Sequence, residues 1–199
     1  VAAALAQGVR AVGISGVSAG LVTARRRPPK VVAGAGPEPV DFGHVGDILE
    51  VRAALVEHLW AGGYTPVVNS LGISATPRAG ATACDVFNIN ADTVAAALAA
   101  ALAVDHLFLV TDVPGVLRDR DDPGSRIPVL AASEARAAIG RGEIVGGMIP
   151  KIEEALANLE RGIGAVHILP AEAGALAGAA GQPGSRGTVL VAGPRGGAS

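Results

Sequence analysis

Asn88-Ile89-Asn90-Ala91-Asp92-Thr93, continued without a break as VAAALAAALAVDHLFLVTD to Asp112, is the stretch on which the fold turns. A polar cluster leads into Thr93 to Val104, where Val94, Leu98 and Leu102 recur at helical spacing and predict one apolar stripe. Asp105 closes that helix, and His106 to Thr111 (HLFLVT) follows as a nearly continuous apolar run. Such a run predicts a strand covered by helices on both faces, as in parallel sheets. Helix and strand in direct succession point to an α/β layered fold.

Working outward, the same alternation continues in both directions. Arg10 to Ser15 (RAVGIS) reads as a strand, and Leu21 to Ala24 as the second strand of a hairpin with it. Val31-Val32 and Gly46 to Val51 read as further short strands, Ala53 to Ala61 as a helix stopped by Gly62-Gly63, and Pro66 to Asn69 as a strand. Downstream, Ser133 to Ile139 predicts a short helix with Ser133 at its cap. Pro150 to Arg161 predicts a longer one, because Pro150 suits a first turn and Ile152, Ala155, Leu156 and Leu159 share a face. Ala165 to Leu169 and Thr188 to Ala192 read as strands, while the Ala- and Gly-rich span 171–187 carries no clear periodicity.

Composition narrows the function classes. Half of the residues are hydrophobic and the net charge is −2, so a packed core is affordable and no basic footprint for nucleic acid is present. Arg25-Arg26-Arg27 reads as a solvated turn ahead of Pro28-Pro29. The longest apolar stretch, Val94 to Val104, is too short to span a bilayer. Cys84 is the only cysteine, which excludes an internal disulfide and fits a reducing compartment. The four histidines show no metal-cage spacing, and the Ser15 to Gly20 loop lacks the G-x-S-x-G context of a serine hydrolase. The first residues, Val1 to Gly8, read as the tail of a helix with its glycine stop, so a preceding segment is expected.

Three clusters could carry chemistry, each at the end of a strand or the start of a helix, where ligands gather in open α/β sheets. Asn88, Asn90 and Asp92 could converge on a substrate, or simply cap the helix that follows. Thr111-Asp112-Val113-Pro114-Gly115-Val116-Leu117 could bring a tight backbone turn against a nucleotide, or close a buried strand with an ordinary Pro-Gly turn. Gly146-Gly147-Met148-Ile149-Pro150-Lys151 places a lysine in a helix's first turn, which the helix dipole disfavours by about 0.3–1 kcal/mol. Either Glu153 and Glu154 neutralise it, or Lys151 and the free amides of the helix start hold phosphate oxygens. The run is not a Walker A loop, since G-x-x-x-x-G-K-[ST] is absent.

In combination these clusters resemble the acetylglutamate kinase branch of the amino acid kinase family. The resemblance is carried by AVGISG (Ala11 to Gly16), HVGDI (His44 to Ile48), GYTPVV (Gly63 to Val68) and FNINADTVAAALAAAL (Phe87 to Leu102). It continues through TDVPGVL (Thr111 to Leu117) and IVGGMIPKIEEAL (Ile144 to Leu156). It implies a three-layer α/β/α sandwich with a mostly parallel central sheet that lacks its N-terminal strands. Residues 1–90 would be the C-terminal part of an acyl-amino-acid-binding lobe and 91–199 an ATP-binding lobe.

The implied reaction moves the γ-phosphoryl group of MgATP to the side-chain carboxylate of N-acetyl-L-glutamate, a step of arginine biosynthesis. The resemblance assigns Lys151 and Asp92 to catalysis, and Asn88 and Asn90 to the acyl amino acid. ATP falls to Thr111, Asp112, Val113, Pro114, Gly115, Val116, Leu117, Glu143, Ile144, Val145, Gly147 and Met148. Mg2+ would arrive bound to the nucleotide. A cytoplasmic homodimer or higher homo-oligomer is implied, with no nucleic-acid or membrane partner. Several features of the family pattern find no match: a strand with a second catalytic lysine and glycines near the phosphates, a further Gly-rich loop and a substrate-binding arginine. The only other lysine is Lys30. The SGKDGG loop reads SGVSAG at Ser15 to Gly20, and the small-residue span 171–187 replaces a leucine-rich helix. Alternative readings are a sister kinase for a carrier-linked aminoadipate or glutamate, and a non-catalytic nucleotide-binding fragment.

Overall fold

The computed structural model describes residues 1–193 except 33, 35, 120 and 147. The chain divides into two compact units, Val1–Ala101 and Leu102–Ser199. The boundary expected between residues 90 and 91 lies at the start of a helix; the units divide at that helix's end.

The first unit opens with α1 (Ala2–Ala6) and β1 (Ala11–Ser15), then β2 (Val22–Arg26), β3 (Gly46–Val51) and α2 (Ala54–Ala61). β4 (Thr65–Asn69), β5 (Leu71–Ile73), β6 (Val86–Asn88) and α3 (Ala91–Ala101) complete it. β1 and β4 pair in parallel through their whole length, Ala11 opposite Thr65 and Ser15 opposite Asn69. A second sheet runs in the order β3-β2-β5-β6. The hairpin expected between residues 10–15 and 21–24 does not form. β2 instead pairs antiparallel with β3, where Arg27 donates from Nε to Asp47 Oδ1 at 2.8 Å and so ties the end of β2 to its neighbour. Nor do Val31-Val32 make a strand; they follow Lys30, which forms an isolated bridge with Val40. Leu21, Val22, Ala24, Phe87, Ile89 and Val94 are buried and form the core of this unit.

The second unit comprises β7 (His106–Thr111), β8 (Val129–Ala131), α4 (Ala132–Gly140), α5 (Met148–Glu160), β9 (Ala165–Pro170), α6 (Ala175–Gly181) and β10 (Thr188–Val191). Its sheet has the order β7-β9-β10-β8, with β7 parallel to β9, β9 antiparallel to β10 and β10 parallel to β8. β9 is buried from Ala165 to Leu169, and for that reason the run is apolar apart from His167. The covering expected for residues 106–111 is incomplete: β7 ends the described sheet, and Val110 remains exposed.

α5 follows its sequence pattern closely. Ile152, Ala155, Leu156 and Leu159 are buried on one face against β9, β10 and α4. Each large aliphatic side chain so buried contributes about 1.5–3 kcal/mol of transfer free energy. This packing fixes the helix axis, and with it the position of Lys151 in the first turn. The span 171–187, unassigned from sequence, contains the seven-residue α6, whose small Ala175 and Ala179 are buried.

Candidate active site

At the carboxyl end of β7 the chain leaves the sheet through Thr111 and Asp112, and α5 brings Lys151 to the same place. Lys151 Nζ donates to Thr111 Oγ1 at 3.0 Å and approaches Asp112 Oδ1 at 3.5 Å. The Thr111 hydroxyl also accepts from the backbone amide of Val113 at 3.0 Å and donates to Asp112 Oδ1 at 3.3 Å. With two bonds accepted and one donated, the hydroxyl's capacity is used in full. A hydrogen bond from its own backbone amide, then the charge of Lys151, hold the Asp112 carboxyl below the usual carboxylate range.

The Lys151 and Asp112 side chains are 37% and 92% exposed, so the pair adds little to stability. What the geometry does is point an ammonium group at one spot. No acidic side chain lies in the first turn of α5, and the Asp112 carboxylate faces the cation from the β7 turn.

Beside this pair opens a cleft of about 470 Å³, within the range of small-molecule sites. Asp112, Val113, Pro114, Gly115 and Leu117 border it from the β7 turn, Glu143, Ile144 and Val145 from the segment after α4, and Met148 and Lys151 from α5. Val116 is fully buried beneath the turn. Of the sequence-predicted nucleotide residues, Asp112 to Gly115, Leu117, Glu143 to Val145 and Met148 border this cavity; Thr111 and Val116 do not, and Gly147 lies outside the described residues. Glu143 is held below the usual carboxylate range by hydrogen bonds from Arg141 and the charges of Arg141 and Arg118.

The residues predicted for the acyl amino acid lie in the first unit. Asn88 ends β6, where its amide donates to the His44 carbonyl at 2.8 Å. Asn90 Oδ1 accepts from the Thr93 amide at 3.0 Å and from Thr93 Oγ1 at 3.3 Å, so Asn90 caps α3. Asp92 is exposed in the first turn of that helix, where its charge suits the dipole. A cleft of about 400 Å³ lies between the end of β4, at Val68, Asn69 and Ser70, and the α3 face formed by Ala91, Val94, Ala95 and Leu98. Asn69 was not singled out in the sequence, yet its Oδ1 accepts from Ser15 Oγ at 2.9 Å and from the Gly16 amide at 3.3 Å. These two partners are more than fifty residues away in sequence, and a local pattern does not mark contacts of that span.

Residues 1–170 match the profile of the amino acid kinase family. The chain belongs to this family. It is 52% identical to the acetylglutamate kinase of Sorangium cellulosum (strain So ce56) over 96% of its own length and 65% of that protein's. To the acetylglutamate kinase of Anaeromyxobacter sp. (strain Fw109-5) it is 50% identical, over 94% of its length and 67% of the other's. The chain therefore spans about two thirds of the length of these relatives. Among solved structures, N-acetylglutamate synthase from Neisseria gonorrhoeae, complexed with coenzyme A and N-acetyl-glutamate, superposes with a TM-score of 0.73. That match has 25% identity and covers 96% of this chain and 39% of the other. A Streptococcus mutans UA159 protein matches at TM-score 0.64 and 28% identity, over 96% and 65% of the two chains. The α/β architecture is thus that of the family's known members.

Proposed function

We propose that the protein containing this chain phosphorylates the side-chain carboxylate of N-acetyl-L-glutamate with MgATP, giving N-acetyl-L-glutamyl 5-phosphate for arginine biosynthesis. The observation that carries this reading is Lys151, aimed by Thr111 and Asp112 beside a nucleotide-sized cleft. Relatives about 50% identical bear the name acetylglutamate kinase. A carboxylate oxygen attacks the γ-phosphorus, the bond to the β-phosphate oxygen breaks, and ADP leaves with the electron pair. The nucleophile is already ionised at neutral pH, so no general base is required. Catalysis then consists of alignment and of neutralising charge on the transferring phosphoryl group. Lys151, in the first turn of α5, supplies that positive charge.

In this reading Asp112 to Leu117, Glu143 to Val145, Gly147 and Met148 receive the nucleotide, and magnesium enters as its counter-ion. Asn88 and Asn90 bind the acyl amino acid, and Asp92 is assigned to catalysis by the family resemblance. The protein works in the cytoplasm as a homo-oligomer; no described helix is long and apolar enough to cross a membrane. The test is a hydroxylamine-trapping assay on the longest reading frame that contains this sequence. Acyl hydroxamate should form with N-acetyl-L-glutamate and MgATP, and faster than with a carrier-linked aminoadipate. No hydroxamate from either acid, with nucleotide still bound, would instead establish a non-catalytic binding protein.

A further inference from the structure

The turn that borders the nucleotide cleft is held from below by a strand far along the chain. Thr188, the first residue of β10, is fully buried. Its Oγ1 accepts from the Val116 amide at 2.8 Å and donates to the Ile127 carbonyl at 2.6 Å. The Ile127 amide donates in turn to the Val116 carbonyl at 2.8 Å, and Leu117 bridges Arg126. One hydroxyl thus joins the turn, the returning segment 126–128 and β10.

The chain on the Thr188 side is fixed as well. Arg126 Nη1 donates to the carbonyl of Gly184 at 3.0 Å and to that of Gly187. The Val189 amide donates to the Pro128 carbonyl at 3.0 Å. At Gly115, φ is +132°, and a Cβ there would stand 2.8 Å from Thr188 Oγ1, so turn and strand touch without a side chain between them.

We infer that Thr188 is a positioning residue, whose hydroxyl holds the turn at residues 112–117 in the shape that receives the nucleotide. Val116 lies between Gly115 and Leu117, both of which border the cleft, so freeing its amide loosens the two residues beside it. A turn that must be ordered at the moment of binding lowers affinity by the fraction of time it spends in the competent shape. The inference rests on the cleft's being a nucleotide site.

The experiment compares MgATP binding by calorimetry for the whole chain and for T188V, T188S and I163A. Valine keeps the shape of threonine but leaves the Val116 amide buried without an acceptor; serine keeps the hydroxyl and loses only a methyl. Ile163 is buried just before β9, at the end of that strand away from the cleft, and its truncation lowers stability without touching the turn. T188V should weaken nucleotide binding about tenfold, the equivalent of roughly one buried hydrogen bond. T188S should recover most of that affinity, and I163A should lower the unfolding midpoint while leaving nucleotide affinity unchanged. Hydrogen exchange without nucleotide should show the Val116 amide unprotected in T188V alone. Unchanged affinity in T188V, a loss that T188S fails to recover, or an equal loss in I163A overturns the inference. Failure of the unaltered chain to bind MgATP removes instead the nucleotide reading beneath it.

Discussion

Thr111 and Lys151 are joined by a 3.0 Å hydrogen bond between strand end and helix start, forty residues apart in sequence. Because the hydroxyl is anchored by the Val113 amide, the ammonium group inherits the rigidity of the β7 turn. A positively charged group held in place before the reaction costs no reorganisation when charge develops. Lys151→Ala in the full-length protein should therefore lower kcat by about 10²–10³-fold, on the scale of losing one preorganised electrostatic contact. Lys151→Arg, which cannot copy a single-point donor, should recover only part of it. Initial rates against MgATP separate the two parameters: a rise in KM with kcat intact would mean that Lys151 serves ground-state binding alone.

Asp112 offers a test independent of turnover. Its own backbone amide contributes most to its lowered pKa, and the Lys151 charge contributes next. Lys151→Met should raise the Asp112 pKa without restoring the ordinary aspartate value, because the amide remains. A carboxyl-detected NMR titration reads this directly. A pKa that does not move would show that the ammonium spends its time elsewhere.

The sequence exposed the long, periodic parts of this fold and left the short ones dark. α5 was legible because Ile152, Ala155, Leu156 and Leu159 repeat at helical spacing, and β9 because burial on both faces made it apolar except at His167. The strands β5, β6 and β8 have three residues each, too few for a period to show. At the site, the TDVPGV turn and Lys151 stood out by residue type, and the motif resemblance joined them. Thr188 gave no such signal. Its hydrogen bond to Val116 spans seventy-two positions, and a threonine opening a strand is ordinary β-propensity.

The contact between turn and strand makes a steric prediction. A Cβ at Gly187 would lie 2.1 Å from the Ile168 carbonyl oxygen, and φ there is +61°. That partner is β-sheet backbone, which cannot step aside. Gly187→Ala should destabilise the chain by several kcal/mol, beyond the ordinary cost of a non-glycine residue at positive φ. Gly115→Ala meets a side-chain oxygen at 2.8 Å and should cost less while weakening nucleotide binding. Urea denaturation of both variants orders them; an equal midpoint for Gly187→Ala and the unaltered chain would contradict the backbone path described.

His167 should make the fold sensitive to acid. It is fully buried on β9, stacked on Phe108 at 4.4 Å, with Nε2 3.0 Å from His106 Nδ1. Its Nδ1 has no hydrogen-bond partner among the described residues, which favours the tautomer in which Nε2–H donates to His106 and Nδ1 keeps only a lone pair. Burial first, and the neighbouring His106 second, push its pKa from 6.5 down to about 4. Between those values the unfolded chain binds a proton that the folded chain refuses. Stability is therefore intact above pH 6.5, falls as pH drops through the window, and levels off below about 4 as far as this residue is concerned. The loss is about 3 kcal/mol at most, since each pKa unit corresponds to 1.36 kcal/mol. Urea midpoints measured from pH 7 to pH 4 should follow this slope, and His167→Gln, which cannot titrate, should flatten it. A slope that survives the substitution would assign the acid sensitivity to the carboxylates instead.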